Sequence, residues 1–237
     1  MFLEYYIMGI ILLPAIIFAI WAQGRVHSTF SRYSNIASRK GTTAVELLEH
    51  LKRACYVENI TIKPVKGHLT DHYNSHTKEI GLSQNVYNSP SVAALGIACH
   101  EFGHALQDKD GYLPLKIRKI IIPISNAAST MLMPLIIIGL IFGFAVEGGG
   151  LLGDIFLWSG IVLFGSATLA NLVTLPVEYN ASNRALVVLR DSVTLEEDEL
   201  KMAKKVLNAA ALTYVAAMLI SLLNLARFLL IVFMNRR

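Results

Sequence analysis

The sequence contains few charged residues and almost no cysteine. Asp, Glu, Lys and Arg make up only 16% of its 237 residues, whereas an average soluble domain contains about 25%. Cys55 and Cys99 are too few for a disulfide framework, and Cys99, among small residues beside His100, is expected to be a packing residue. The net charge of +4 comes from dispersed basic residues with no aromatic-interleaved basic stripe, so no nucleic acid is expected as a partner.

Long apolar runs are abundant instead. The first has no basic segment before it and contains Pro14, which favours an uncleaved anchor over a secretory signal. Four runs have the length that crosses a bilayer core, about 20 residues, and we therefore expect an integral membrane protein with four transmembrane helices. They extend roughly from Tyr5 to Ala22, Ile120 to Val146, Leu151 to Leu175 and Ala209 to Met234.

Basic residues are unevenly distributed around these runs. The link from Glu147 to Asp154 contains no Lys or Arg, whereas Arg236 and Arg237 follow the last run. By the positive-inside rule, the link lies outside and both larger polar segments are cytoplasmic, although the two C-terminal arginines oppose this orientation. The basic residues that carry the prediction are Arg25, Arg32, Arg39, Lys40, Arg118, Lys119, Arg184, Arg190, Lys201, Lys204 and Lys205.

The polar segment after the first run has the pattern of a small α+β domain. Thr43 and Glu46 form a capping-box pattern that predicts the start of a helix. Residues 60–65 and 78–82 have strand-like composition. The second of these strands is either an edge strand that holds an extended peptide through main-chain hydrogen bonds or a plain structural strand.

A further helix is predicted to begin at Ser89 and Pro90, as an N-cap residue followed by proline at the first helical position. It should extend to about Gln107. No charged residue occurs from Pro90 to Cys99, so this helix must be buried on nearly every side.

This helix contains the pattern H-E-x-x-H from His100 to His104. Two histidines four residues apart project from one helical face and can hold one Zn²⁺, while Glu101 can act as general base for a metal-activated water. Burial of these groups would be costly unless a metal compensated them. A chance match is the alternative, because the bare pattern occurs in roughly one chain in a hundred of this length, but the capped apolar helix favours a metal site.

A catalytic zinc site needs three protein ligands, and no histidine follows His104. The third ligand is therefore a carboxylate or an upstream histidine such as His68, His72 or His76. Glu178 is the one acid in a long helical stretch at the membrane boundary, where a lone carboxylate is costly unless it coordinates or pairs. The acids between residues 191 and 199 instead form a charge run typical of a solvated helix start.

Three stretches together resemble the YugP-type neutral zinc metallopeptidases, a family of small bacterial membrane proteins. They read SPSVAALGIACHEFGHALQ, LPVEYNASNRAL and LTDHYNSHTKEIGLSQNVYN, and the resemblance extends from about Arg25 to the final run. It implies a zincin-like domain that hydrolyses peptide bonds.

The stretch after Glu178 also resembles the Glu-x-x-Ala-Asp motif of the HtpX and CAAX-prenyl-protease group, in which the Glu is a zinc ligand and the Asp orients a zinc-binding His. Ser182 stands at the Asp position here, so Asn180, Ser182 and Asn183 are the candidates for that orienting role. Since no downstream histidine is available to stabilise an oxyanion, the candidates for that task are His72 and Tyr73, with Tyr179 and Arg184 as rivals. For His72 a surface or structural role is an equal alternative.

The resulting hypothesis is a mainly α membrane protein with four transmembrane helices and a small α+β zincin-like cytoplasmic domain. We expect it in the bacterial cytoplasmic membrane, with the active site at the cytoplasmic face. The sequence does not determine its oligomeric state. The predicted segments are an N-terminal transmembrane helix (1–24), the zincin domain (25–119), a transmembrane hairpin (120–176), a cytoplasmic segment with the third ligand (177–206) and a C-terminal transmembrane helix (207–237).

The corresponding functional hypothesis is a membrane-embedded zinc-dependent endopeptidase. One Zn²⁺ per chain would be held by His100, His104 and Glu178, with Glu101 as the catalytic base. Its partners would be the lipid bilayer and a peptide or membrane-protein substrate. The alternatives are a catalytically silent zinc-containing scaffold or assembly factor, which an intact Glu101 disfavours, and a hydrolase of non-peptide amides.

Overall fold

The computed structural model describes residues 10–143 and 150–235, which are mostly helical with one small sheet. Most of these residues lie in long helices, as the long apolar runs of the sequence predict. In chain order the elements are α1 (Leu13–Ser34), α2 (Ala44–Ala54), β1 (Thr61–Val65), β2 (His72–Asn74), β3 (Glu79–Ser83), α3 (Gln84–Tyr87), α4 (Val92–Lys109), α5 (Leu113–Gly143), α6 (Gly150–Asp191) and α7 (Glu197–Asn235).

The chain forms two compact units. The first, which we call the polar unit, comprises Ile20–Leu115 and Pro176–Thr213, and it contains the sheet and the whole of α4. The second, the apolar unit, comprises the described parts of Met1–Ala19, Lys116–Leu175 and Tyr214–Arg237. The segment boundaries predicted from the sequence stay a prediction.

The core of the polar unit surrounds α4. Its apolar side chains from Val92 to Ala105 are almost all buried, as the absence of charge before His100 predicts. Each fully buried large apolar side chain contributes about 1.5–3 kcal/mol, so α4 is a rigid support for the groups it carries. The core residues from neighbouring elements include Leu47, Leu48, Leu51, Ile80, Leu82, Ala185, Leu189 and Ala203.

Helix α2 begins as predicted and α4 does not. Thr43 accepts a hydrogen bond from the Glu46 backbone, and Glu46 reciprocates in a complete capping box. The N-cap of α4 is Ser91, whose side chain accepts from the Ala94 N–H, so the prediction of Ser89 and Pro90 was wrong by two residues. The reason is tertiary: the Pro90 carbonyl accepts from the Ser38 N–H and the Ser89 carbonyl accepts from the N–H of Ala44, the first residue of α2, and these bonds keep both residues outside the helix.

The three-stranded sheet has the order β1-β3-β2, with β1 parallel and β2 antiparallel to β3. Both predicted strands form, and each begins one residue later than predicted. Strand β3 corresponds to the predicted residues 78–82 and is central, so of the two alternatives for it the plain structural strand is correct and the edge strand is not. The edge strands are β1 and β2, and β2 is a three-residue strand within a stretch whose polar, turn-rich composition concealed it.

Two helical segments among the described residues are long and apolar enough to cross a membrane, judged by length and composition. They are Trp158–Asp191 and Glu197–Leu230, and only 22% and 28% of their most apolar windows are buried inside the protein. The prediction of four spans is therefore corrected to two candidates. The first predicted run continues as α1 through polar residues to Ser34, and residues 5–9 and 144–149, which belong to the first two runs and the outer link, lie outside the described ranges.

Candidate metal centre

Helix α4 places the imidazole rings of His100 and His104 side by side. Their ring centroids are 4.8 Å apart and the ring planes are nearly perpendicular. His104 is buried and His100 is half-buried. This proximity follows from local geometry, because residues four apart on an α-helix lie on one face.

Helix α6 brings the carboxylate of Glu178 to the same place. Its Oε2 atom lies 3.1 Å from Nε2 of His100 and 3.6 Å from Nε2 of His104, and the side chain is only 1% exposed. One donor atom from each of the three residues lies within 4.8 Å of the others. Two imidazole nitrogens and a carboxylate oxygen are donors that zinc accepts, so this set fits a zinc ion. None of the upstream histidines belongs to the group.

The contact of Glu178 with the two histidines is possible because α4 and α6 approach each other closely at Gly103. A Cβ atom on residue 103 would lie 2.5 Å from the carbonyl oxygen of Ala181, well inside van der Waals contact. Only glycine therefore fits without a shift of one helix. Glu178 precedes Ala181 by one helical turn, so the distance between the helices at Gly103 also sets the distance from Glu178 to the histidines.

The outer nitrogens of both histidines have hydrogen-bond partners. Nδ1 of His100 lies 3.1 Å from the Ser182 hydroxyl oxygen, and Nδ1 of His104 lies 3.0 Å from Oε1 of Gln107. Such partners fix ring orientation in metal sites. Ser182 was one of three predicted orienting residues, whereas sequence reasoning missed Gln107. Its signal was available: a polar residue three positions after His104, on the same face of an apolar helix.

The hydrogen bonds around Gln107 determine the tautomer of His104. Arg184 Nε can only donate, so the Asn180 atom that it meets at 2.9 Å is the oxygen Oδ1. The same oxygen and the Val177 carbonyl, at 2.9 and 2.8 Å, both accept from the Gln107 amide nitrogen. Oε1 of Gln107 therefore faces His104 and must accept from Nδ1–H. That leaves Nε2 of His104 with its lone pair directed at the Glu178 side, as a metal ligand requires.

Arg184 extends this network to the end of α4, where its guanidinium also forms an ion pair with Asp110. The contact joins the C-cap of α4 to α6. Arg184 was a candidate for oxyanion stabilisation. In the structure it is linked to His104 only through Asn180 and Gln107.

Glu101 lies beside the histidines on α4, with 8% of its surface exposed. Burial raises the pKa of Glu101 to about 7, and the carboxylates of Glu178 and Asp71 act in the same direction, while His100 opposes them. A carboxyl group with this pKa is suited to proton transfer at neutral pH.

Asp71 is a further acid of this region to which the sequence assigned no role of its own. It accepts hydrogen bonds from the backbone N–H and the hydroxyl of Ser83, at 2.7 and 3.1 Å. These bonds attach the turn before β2 to the end of β3. Its electrostatic effect on Glu101 indicates that this turn lies near the base.

The remaining sequence candidates are dispersed. His72 is exposed on β2, with Nδ1 2.9 Å from the Thr70 carbonyl, and the Tyr73 hydroxyl donates to Asp108. Asn183 is exposed, and Tyr179 lines a cavity whose walls include none of the three donor residues. Of the upstream histidines, His68 packs edge-on against Phe30, and His76 is exposed.

The sequence matches known proteins along most of its length. A family model described as "Putative neutral zinc metallopeptidase" matches residues 8–233. The chain belongs to this family. It is 40% identical over 218 residues to a Bacillus subtilis (strain 168) protein named "Putative membrane protease YugP", and the alignment covers 92% of each chain. The family resemblance read from the sequence is thereby confirmed, while no solved structure matches the chain significantly.

Proposed function

We propose that this protein is a membrane-embedded endopeptidase with one zinc ion held by His100, His104 and Glu178. The convergence of these three donor groups beside Glu101 is the observation that carries the proposal. Family membership and the relative named as a membrane protease support it. Catalytic zinc sites use three protein ligands and leave the fourth position open. His100, His104 and Glu178 are three such ligands.

Zinc bound by these residues would supply a Lewis acid for the attacking water and the peptide carbonyl. Glu101 moves the proton. Its carboxylate accepts a proton from the water as the C–O bond forms, and it donates that proton to the amine nitrogen as the C–N bond breaks. Burial raises the pKa of Glu101 to about 7, and a carboxyl group with such a pKa can both accept and donate a proton near neutral pH. Gln107 and Ser182 hold the two imidazoles in place during the reaction.

The free edge of β2 is our proposed binding place for an extended peptide. Two described strands, β1 and β2, each pair with β3 alone, and of these two β2 is the one that packs beside α4. His72 on this strand acts electrostatically on Glu101, so the edge lies near the proposed base. A peptide that adds to a free edge gains main-chain hydrogen bonds that do not depend on its side chains. The same role was one of the two alternatives for residues 78–82.

The proposed substrates are peptides or membrane proteins that reach the site at the cytoplasmic face. The orientation is supported by the basic residues around the apolar runs. No observation favours the silent scaffold or the non-peptide amidase over the peptidase, and one experiment separates the three.

That experiment uses the full chain purified in detergent, with its zinc content measured by mass spectrometry. We expect cleavage of an unfolded protein substrate that is lost with a chelator and recovered with zinc. Glu101→Gln should retain zinc, because both imidazoles and Glu178 remain, and should lose at least about a hundredfold in activity. The exposed Glu197, changed to Gln, is the matched control and should leave activity unchanged.

A wild-type protein that binds zinc but cleaves no peptide would favour the scaffold. Cleavage of small amides without cleavage of peptides would favour the amidase. Undiminished proteolysis by Glu101→Gln, in protein free of contaminating peptidases, would exclude the proposed role of the base.

A further inference from the structure

The cavity of the polar unit that Tyr179 lines has a composition unlike that of the metal centre. It measures about 640 Å³ and lies between α1 and α7, with Tyr179 of α6 contributing to its wall. The α1 residues that line it, from Trp21 through Arg25 to Arg32, recur at helical spacing and so form one face of the helix. Lys205 and Leu212, two turns apart on α7, line the opposite side.

The charge of this cavity is uniformly positive. Arg25, Arg32 and Lys205 line it, and no Asp or Glu is among its lining residues. Within the described ranges, none of these three cations forms an ion pair with a carboxylate, in contrast to Arg39, Lys78 and Arg184. Three cations around one concave space repel one another unless an anion compensates them.

The cavity also lies where apolar sequence meets polar sequence on both helices. On α1, Ile20 and Trp21 are 68% and 53% exposed, and Arg25 follows one turn later. On α7, Lys205 is followed within two turns by Leu212, where the apolar run has begun. A tryptophan next to cations at the end of an apolar run is typical of the membrane–water interface.

We propose that this cavity binds the headgroup of an anionic phospholipid. Arg25, Arg32 and Lys205 would contact the phosphate and the other headgroup oxygens, while the acyl chains would leave past Trp21 and Leu212. The volume is within the range of small-molecule sites, and basic pockets beside membrane helices bind anionic headgroups by the same physics. The inference does not depend on the peptidase activity, because it concerns binding at residues outside the metal centre.

The chain provides its own reporter for this site. It contains two tryptophans, so Trp158→Phe leaves Trp21 at the cavity as the single tryptophan, which red-edge excitation selects over the tyrosines. We would measure quenching of Trp21 in mixed micelles that contain brominated phosphatidylglycerol or brominated phosphatidylcholine. The expected result is quenching at a severalfold lower mole fraction of the anionic lipid, with a preference that decreases as salt is added.

Three variants in this background test the assignment residue by residue. Arg25→Gln, Arg32→Gln and Lys205→Gln should each weaken the association of the anionic lipid by roughly fivefold. Lys204→Gln is the matched control, since Lys204 is the exposed neighbour of Lys205 but does not line the cavity, and it should change the association by less than twofold. Thermal unfolding of each variant in detergent shows whether it is folded.

Equal quenching by the two lipids in the unmodified cavity would overturn the proposal, and this comparison needs no variant that must fold. An effect of Lys204→Gln as large as that of Lys205→Gln would also overturn it, because it would indicate general surface attraction. Displacement of the lipid by millimolar inorganic phosphate would assign the cavity to a soluble anion, and stronger displacement by an acidic peptide would assign it to a protein ligand. Persistence of the lipid preference against both competitors supports the headgroup site.

Discussion

At the scale of single residues, Gln107 connects the candidate metal centre to the rest of α6. It is fully buried and uses its oxygen for His104 and its nitrogen for Val177 and Asn180. One side chain therefore sets the tautomer of a predicted ligand and joins two helices. The tautomer of His104 depends on which way the Gln107 amide faces, and that is set by the donors and acceptors around it. Helix propensity and hydrophobic periodicity contain no information about these contacts.

We expect Gln107→Leu to weaken zinc binding by about 10- to 100-fold, the usual effect of losing the partner of a metal-binding histidine. The change preserves approximate volume but leaves the Val177 carbonyl and Nδ1 of His104 without their partner, which also costs about 1–3 kcal/mol of stability. Competition with a fluorescent chelator measures the affinity. Zinc affinity equal to that of the wild type would show that Gln107 has no role in orienting His104.

Glu178→Ala tests the third ligand directly. Its zinc occupancy should fall steeply, since two imidazoles alone form an incomplete site. Glu197→Ala is the control, because that acid is exposed at the start of α7 and pairs only loosely with Arg190 at 3.6 Å. Metal analysis of both proteins after dialysis gives the result, and full zinc content in Glu178→Ala would show that another group is the third ligand.

At the scale of elements, the contact of α4 with α6 determines the dimensions of the centre. Two glycines of α4 lie against other helices in different ways. A Cβ on residue 103 would overlap the Ala181 carbonyl, whereas a Cβ on Gly96 would lie 3.5 Å from Cβ of Ala203, an ordinary contact. The two positions are thus a natural pair for comparison.

We expect Gly103→Ala to separate α4 from α6, destabilise the protein by about 1–3 kcal/mol and lower zinc affinity, because Glu178 moves with α6. Gly96→Ala should be neutral or slightly stabilising, since alanine has the higher helix propensity. Thermal midpoints in detergent and chelator competition distinguish the variants. Identical behaviour of the two would mean that the approach at Gly103 does not control the site.

The elements also show where local sequence signals were sufficient. The capping box of α2 depends on residues three apart, so its pattern predicted the correct start. The start of α4 depends on backbone hydrogen bonds of Ser89 and Pro90 with the first residue of α2 and with the segment before it, and no local signal contains these bonds. Strand β2 exists only because β3 offers it a partner, and its three residues have no periodicity of their own.

At the scale of the whole molecule, the orientation in the membrane is a prediction that rests on the basic residues of the sequence. Single cysteines are placed at position 109 or 149 in a background of Cys55→Ser and Cys99→Ala. Intact cells are then treated with a membrane-impermeant thiol reagent, and labelling at the two positions is compared. Position 109 is exposed on the polar unit and should be protected, while position 149 should be labelled. Labelling of 109 with protection of 149 would invert the orientation and move the proposed chemistry to the outer side.

The sequence by itself determined the properties that depend on neighbours along the chain. The spacing of His100, Glu101 and His104 on one helix follows from 3.6 residues per turn, and the mainly α class follows from the apolar runs. It also made Glu178 the leading candidate for the third ligand. Four spans were predicted, and two of the described helical segments meet the criteria of length and composition, while parts of the first two predicted runs lie outside the described residues.

Only the tertiary structure decided which distant groups meet. It brought Glu178 within 3.1 Å of His100, 78 positions away, through the absence of a side chain at Gly103. It gave His104 the partner Gln107, placed β3 at the centre of the sheet with β2 as the edge strand beside α4, and brought three cations to the wall of one cavity. These contacts arise from helix packing and strand order, which are collective results of burying the core around α4, and a pattern of adjacent residues does not encode them.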